Sequence, residues 1–194
     1  VITSNTSFSS KQSIFVKGDV YIAGNIEYNT GAWSGTGTAS TVPSFVLHAT
    51  GNIYIDQDVT KLDGLYVAKG KKTATAIEKG RILTCGYQRP EYDFDAMPQV
   101  FIYSVCNKQL KVKGAFVAYK VNLMRTYGSL RDSKNNDSPR AGTSPGCSNG
   151  SANTTCAAEV FDFSPEFYLA NPAIKNPAAE TQQYDAITSL PPVL

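Results

Sequence analysis

One short phrase recurs along the chain: a glycine, one further residue, and then a run in which every second position is apolar. Clear copies begin at Gly18 and Gly51, and looser copies begin at Gly64 and Gly114. The second and fourth residues after each glycine are apolar, and in a β-strand these two positions face the same side. The residues that we expect to face inward are Val20, Ile22, Ile53, Ile55, Tyr66, Ala68, Phe116 and Ala118.

Repetition of this phrase favours a solenoid, in which each turn of the chain buries its inner face on its neighbours. In a parallel β-helix, equivalent positions of successive turns lie about 4.8 Å apart, so like residues stack in ladders. A glycine followed by a small polar residue suits a corner, where the backbone turns with positive φ. We therefore predict an all-β chain that forms a parallel β-helix (solenoid). The alternative is an antiparallel β-sandwich or jelly roll.

The remaining apolar runs are only three to five residues long and rich in β-branched and aromatic residues, which favours strands. A further strand is expected at residues 159–163. One short C-terminal helix is expected after it, with Ser164 as N-cap and Pro165 at the first helical position.

The chain suits a single domain, residues 1–194, whose strand rhythm is interrupted by insertions. These insertions lie near residues 29–43, 87–99 and 132–157, and a Pro-rich tail covers residues 170–194. Loops of such length in a compact domain are usually functional. We therefore expect the insertions to carry any binding function.

Four cysteines form an even set: Cys85, Cys106, Cys147 and Cys156. No Cys-x-x-Cys pair is present and the sequence has one histidine, so a zinc site is poorly supported. We predict the disulfides Cys85–Cys106 and Cys147–Cys156, because each pair brackets a loop rich in Pro, Gly or polar residues; two other pairings remain open. Disulfides imply an oxidising compartment, so an extracellular or cell-surface location is expected.

The charge balance and the hydropathy exclude two classes of protein. The net charge is only +2, from 18 basic and 16 acidic residues, which is too small for a nucleic-acid-binding face. No apolar run approaches the roughly 20 residues that span a membrane, so no transmembrane segment is predicted. We interpret the chain, which begins at Val1, as a mature or trimmed ectodomain whose signal or anchor lies outside this sequence.

Two groups of carboxylates are candidates for catalysis or calcium binding: Glu91, Asp93 and Asp95 in one insertion, and the pair Asp56 and Asp58. Neither group has the spacing of a calcium loop, and no acidic cluster recurs with Arg or Lys across the predicted turns. The sequence therefore predicts no catalytic, cofactor-binding or metal-binding residues and no cofactor. A polysaccharide-degrading enzyme is the enzymatic alternative.

Four aromatic residues lie in or beside the insertions: Tyr28, Trp33, Tyr87 and Tyr92. Exposed aromatic rings could stack on sugars or be buried in a protein partner. The same rings could instead cap an end of the solenoid, and the sequence does not separate these roles.

Several stretches carry a resemblance: AEVFDFSPEFYL at 158–169, Asn171–Ala173, YDAITSLPPVL at 184–194, and the β phrases at 59–70 and 110–118. On these the chain resembles a family of uncharacterised cell-surface proteins from reduced-genome bacteria that live on other cells. The resemblance covers roughly residues 50 to 194, implies a cell-surface location and supplies no catalytic residues. The strand rhythm of residues 56–70 is also similar to that of bactofilin-type polymerising β-helices.

These observations favour a non-enzymatic cell-surface structural protein, such as a self-assembling filament, coat or stalk subunit. A solenoid leaves open strand edges at both ends, which favours a homo-oligomer formed by end-to-end or tail-mediated stacking. The alternative is an adhesin module that binds a glycan, a protein or a host-cell surface.

Overall fold

The computed structural model describes residues 1–29, 42–72, 77–86, 105–126 and 157–164. In these residues the chain is rich in strands, which confirms the all-β class. The strands are β1 (Thr6–Phe8), β2 (Lys11–Val16), β3 (Val20–Ile22), β4 (Ile26–Tyr28), β5 (Ser44–Ala49), β6 (Ile53–Asp56), β7 (Lys61–Ala68), β8 (Lys71–Lys72), β9 (Ile77–Glu78), β10 (Arg81–Gly86), β11 (Leu110–Ala118), β12 (Lys120–Asn122) and β13 (Glu159–Asp162).

Two parallel sheets contain all but two of these strands. The first sheet has the order β12-β10-β6-β3, and the second has the order β1-β4-β7-β11-β13, with β5 beside β7 and β2 beside β5. The short hairpin β8–β9 is the one antiparallel pair in the described segments. Parallel pairing throughout both sheets differs from the antiparallel pairing of the sandwich alternative.

The chain alternates between the two sheets and returns to each of them repeatedly. Strand β1 pairs with β4 at Thr6↔Ile26, and β5 pairs with β7 at Leu47↔Tyr66, so these two returns span almost the same length of chain. The return from β7 to β11, which pair at Gly64↔Gly114, is much longer because a predicted insertion intervenes. The return from β6 to β10, which pair at Ile53↔Ile82, is also longer than these two and contains β8 and β9.

Strand β7 pairs with two strands, β4 and β5, at different points along its length. Its Leu62 pairs with Ile26 of β4, whereas its Leu65 pairs with Val46 of β5. The chain between β4 and β5 thus leaves the sheet opposite Gly64. Most of that segment lies outside the described residues, as do most of the two other predicted insertions, the tail at 170–194 and the predicted helix from Pro165 onward.

The residues predicted to face inward form the core. Six of the eight are buried, and the other two, Phe116 and Ala118, are partly buried and pack against that cluster. The strand register places equivalent positions side by side, as in Val20↔Ile53 and Tyr66↔Phe116. The glycine-led phrase therefore predicted the buried face of each strand that carries it.

Aromatic rings form a column through the core from β1 to β13. The centroid distances between successive rings are 4.8, 5.8, 5.6 and 5.1 Å. Such pairs contribute about 0.5–1.5 kcal/mol each beyond the area that they bury. The members of the column are Phe8, Phe45, Tyr66, Phe116 and Phe161.

Two glycines meet where β7 and β11 pair. Gly64 has φ 121° and Gly114 has φ 149°, a conformation that L side chains rarely adopt. A Cβ atom added at Gly114 would lie 1.9 Å from the carbonyl oxygen of Gly64. The close approach of the two strands therefore requires glycine at this position.

We predict that Gly114→Ala destabilises the protein more than Gly18→Ala does. Gly18 has φ 122° with no atom within 4 Å of an added Cβ, so its substitution meets backbone strain alone, roughly 1–3 kcal/mol. Gly114→Ala adds a clash with backbone, which costs about 1–3 kcal/mol more. Urea unfolding followed by circular dichroism measures both, and equal losses would contradict the close-approach argument.

Candidate functional site

The connections from the first sheet to the second meet at one corner of the structure. Strands β6, β10 and β12 are neighbours, and so are β7, β11 and β13, so the three links between them leave and enter side by side. The predicted insertions near 87–99 and 132–157 belong to the second and third links. We call the described parts of these links the insertion corner: residues 57–60, 105–109, 123–126 and 157–158.

The guanidinium of Arg125 lies at the centre of the insertion corner and is 2% exposed. Its Nε donates to the carbonyl oxygen of Thr84 at 2.6 Å, and Nη1 donates to that of Gln57 at 2.5 Å. Its Nη2 donates to the carbonyl oxygens of Asp56 at 2.7 Å and Val59 at 3.0 Å. The planar fork of guanidinium donors suits this convergence of carbonyls. Arg125 thereby joins the segment after β12 to β10 and to the end of β6.

Glu159 holds the backbone at Met124 and Arg125 in place. Its Oε1 accepts hydrogen bonds from the backbone nitrogens of Met124 at 3.0 Å and Arg125 at 3.2 Å. The hydroxyl of Thr84, which is fully buried, also donates to this oxygen. One carboxylate oxygen therefore ties β13 to the segment that follows β12 and to the end of β10.

Burial shifts both ionisable groups of this cluster. It lowers the pKa of Arg125 to about 10, an effect that the nearby carboxylates of Glu159 and Asp56 oppose. Burial also raises the pKa of Glu159, against the hydrogen bonds from Thr84 and the backbone and against the charge of Arg125. A pKa of about 10 keeps the guanidinium charged at pH 7.

A disulfide closes the second link. Cys85 at the end of β10 bonds to Cys106 ahead of β11, with a Cα–Cα distance of 5.8 Å. This confirms the predicted Cys85–Cys106 pair, whereas Cys147 and Cys156 lie outside the described residues. Closing a loop of 21 residues stabilises the folded state by about 3 kcal/mol in the chain-entropy estimate. A disulfide is typical of proteins outside the cytoplasm.

The carboxylates of Asp56 and Asp58 have structural partners. Asp56 is buried, accepts a hydrogen bond from the Tyr21 hydroxyl, and accepts another from the backbone nitrogen of Asp58 at 2.8 Å. Asp58 pairs with Lys108 at 2.6 Å. Within the described ranges, no three His, Cys, Asp or Glu side chains are grouped so as to hold a metal ion.

Tyr28 differs from the exposed, partner-binding aromatic that its position suggested. It is 5% exposed, and its hydroxyl accepts a hydrogen bond from the backbone nitrogen of Phe45 at 3.1 Å. In β4 it follows the inward-facing Ile26 by two residues, so the strand period turns both side chains into the core. The other predicted site residues lie outside the described residues: Trp33, Tyr87, Tyr92, Glu91, Asp93 and Asp95.

Sequence reasoning missed Arg125, Glu159 and Thr84. The sequence did contain a signal for a buried arginine. Arg125 follows a run of strand residues, and no Asp or Glu lies close to it in sequence. Arginine is rarely buried without partners, and here its partners come from residues 17 to 69 positions away.

Comparison with protein-family models, with curated proteins and with solved structures finds no match for this chain. In the segments that the structure describes, no helix has the length and apolar character needed to cross a membrane.

We predict that Arg125→Met lowers the free energy of unfolding by about 3 kcal/mol or more. Methionine keeps apolar contacts of the side-chain stem but leaves several buried carbonyls without a donor, at about 1–3 kcal/mol each. Lys61→Met is the control, because its ion pair with Glu27 is half exposed and is worth about 1 kcal/mol or less. Chemical denaturation measures both, and similar losses would show that Arg125 does not hold the corner.

We predict that wild type loses stability relative to Glu159→Gln as the pH rises above about 4.5. A raised pKa means that the folded carboxyl keeps its proton where the unfolded one, near 4.5, releases it, so unfolding is increasingly favoured through that window. Glutamine keeps an acceptor oxygen but does not titrate. Unfolding free energies of both proteins across this pH range provide the measurement, and a relative gain by wild type would contradict the burial effect.

Proposed function

We propose that the chain is a parallel β-solenoid that acts as a non-enzymatic structural protein on a cell surface, where copies associate end to end into a stalk or filament. The observation that carries this proposal is that the outer edges of β2 at one end and of β12 and β13 at the other have no strand partner among the described residues. The outer edge of β3 is covered in part by Ile2, which bridges to Ile22.

The return of the chain to each sheet supports a solenoid. Each turn would contain one crossing of the first sheet and one of the second. The inner faces of both sheets share one apolar cluster, as the turns of a solenoid do. The register partners Val20↔Ile53↔Ile82 and Tyr66↔Phe116 form ladders of the kind that stacked turns produce.

The N-terminal end presents an open edge at β2. The carbonyl oxygen of Val16 accepts a hydrogen bond from the backbone nitrogen of Thr50 at 3.0 Å, so Val16 directs its backbone groups toward β5. Because these groups alternate along a parallel strand, Ser13 and Phe15 direct theirs to the other side. No strand pairs with that side in the described part of the chain.

The opposite end presents apolar side chains together with its open strands. Val121 of β12 is 36% exposed and Phe161 of β13 is 43% exposed. The aromatic column that begins at Phe8 reaches the surface at Phe161. A second copy stacked on β13 would bring its Phe8 to the next position of the column, which favours a head-to-tail contact. Head-to-tail contacts that do not close into a ring give filaments.

An adhesin is the second candidate, and the insertion corner favours it. Binding residues commonly lie on loops that a rigid scaffold positions. Arg125, Glu159 and the Cys85–Cys106 disulfide hold the bases of two predicted insertions at a single corner. A stalk that displays these loops would combine both roles.

We predict that the wild-type protein forms filaments or concentration-dependent oligomers and that Ser13→Pro weakens them. Proline at residue 13 removes a backbone donor on the open edge of β2 and leaves the bonds to β5 in place. Ser13→Ala, which keeps the donor, is the control. Sedimentation velocity and negative-stain microscopy give the readout, with circular dichroism to verify folding. A wild type that stays monomeric at high concentration would refute end-to-end assembly, as would Ser13→Pro that assembles like Ser13→Ala.

A further inference from the structure

A second corner of the structure carries a groove beside the open edge of β2. It lies where β2, β5 and β7 end, before the chain turns back to the first sheet. The groove is open to solvent and has a volume of about 970 Å³. We call it the lysine groove, after the side chains that line it together with backbone of the corner: Phe15, Lys17, His48, Lys69 and Lys79.

The strand register places two of these lysines at the same corner. Val16, Ala49 and Ala68 are paired neighbours at the ends of β2, β5 and β7. The residues that follow them therefore occupy the same corner position in three successive layers, and two of these are Lys17 and Lys69. Two layers separate their backbones by about 10 Å.

Aromatic side chains form one wall of the groove. Phe15 and His48 are paired across β2 and β5, and their ring centroids lie 5.6 Å apart. Phe15 is 75% exposed, although a large apolar side chain gains free energy by leaving water. A ligand that covers the Phe15 ring would shield it from water and gain that free energy.

The charge of the groove is positive. Lys79 pairs with Asp19 at 3.1 Å, and Asp19 also accepts a hydrogen bond from the backbone nitrogen of Asn52 at 2.8 Å. Lys17 and Lys69 form no ion pair within the described residues, and no carboxylate is among the described residues that line the groove. Two uncompensated ammonium groups beside an exposed ring therefore favour an anionic ligand with an apolar face.

We propose that the lysine groove binds an acidic polysaccharide. One sugar ring lies on the Phe15 ring through its apolar C–H face, and acidic groups of the chain pair with Lys17 and Lys69. The backbones of Lys17 and Lys69 are about 10 Å apart, which is comparable with the length of a disaccharide, so acidic groups on consecutive units of one chain suit the two lysines. A small inorganic anion would use neither the aromatic wall nor this length. The proposal is independent of end-to-end assembly.

The test measures binding of the full chain to immobilised polysaccharides by biolayer interferometry. Polygalacturonate presents carboxylates, heparin presents sulfates, dextran is neutral, and polyphosphate is an anion without a sugar ring. We expect binding to one or both acidic polysaccharides, weaker binding to polyphosphate and none to dextran. The carboxylate and sulfate arms identify which acidic group is preferred.

Two variants separate the ring from the charges. The double substitution Lys17→Gln/Lys69→Gln should weaken acidic-polysaccharide binding about tenfold or more. Phe15→Ala should weaken it similarly but leave polyphosphate binding unchanged, because only a sugar uses the ring. The matched control is Lys111→Gln/Lys120→Gln, which removes the same charge from exposed positions outside the groove and should bind as wild type does.

Four results would overturn the proposal. The first is that wild type binds neither acidic polysaccharide, and the second is that the control double variant loses as much affinity as the groove variant. The third is that Phe15→Ala binds acidic polysaccharide like wild type. The fourth is that polyphosphate binds as tightly as the best polysaccharide, which would assign the groove to polyanions in general.

Discussion

Parallel, in-register pairing of short strands is the constraint on which the rest of this structure depends. Because the pairing places the glycine-led phrases side by side, their second and fourth residues face a shared interior. The pairing also places equivalent residues side by side: apolar residues form the inner ladders, Tyr66 lies beside Phe116, and Gly64 meets Gly114 where β7 approaches β11. The same rule aligns Lys17 with Lys69 on the outside.

The insertion corner shows how such a layered structure tolerates polar groups in its interior. A buried arginine is unfavourable on its own, but here backbone carbonyls that would otherwise lack donors surround it. The side-chain oxygens of Glu159 and Thr84 likewise accept hydrogen bonds from the backbone nitrogens of the segment after β12. The cluster and the disulfide hold together the layers from which long segments leave, where strand pairing alone is interrupted.

The sequence predicted features that depend on local pattern. The glycine-led phrase identified inward residues such as Val20 and Ile53 because strand periodicity is a property of neighbours, and the composition between Cys85 and Cys106 indicated their bond. It did not predict the corner cluster, because Thr84 and Glu159 are 75 residues apart and their contact depends on how much chain each layer contains. The nearness of Tyr28 to an insertion suggested exposure, whereas its two-residue offset from Ile26 decides its burial.

The way β7 lies against both β4 and β5 has a consequence for engineering. Since one unbroken strand holds both ends of the departing segment in place, the number of residues between Tyr28 and Ser44 does not enter the register of any strand. This segment of the chain is therefore a suitable site for inserting a foreign sequence. A foreign epitope or a small tag inserted there would be carried on the side of the molecule without disturbing the layers above or below it.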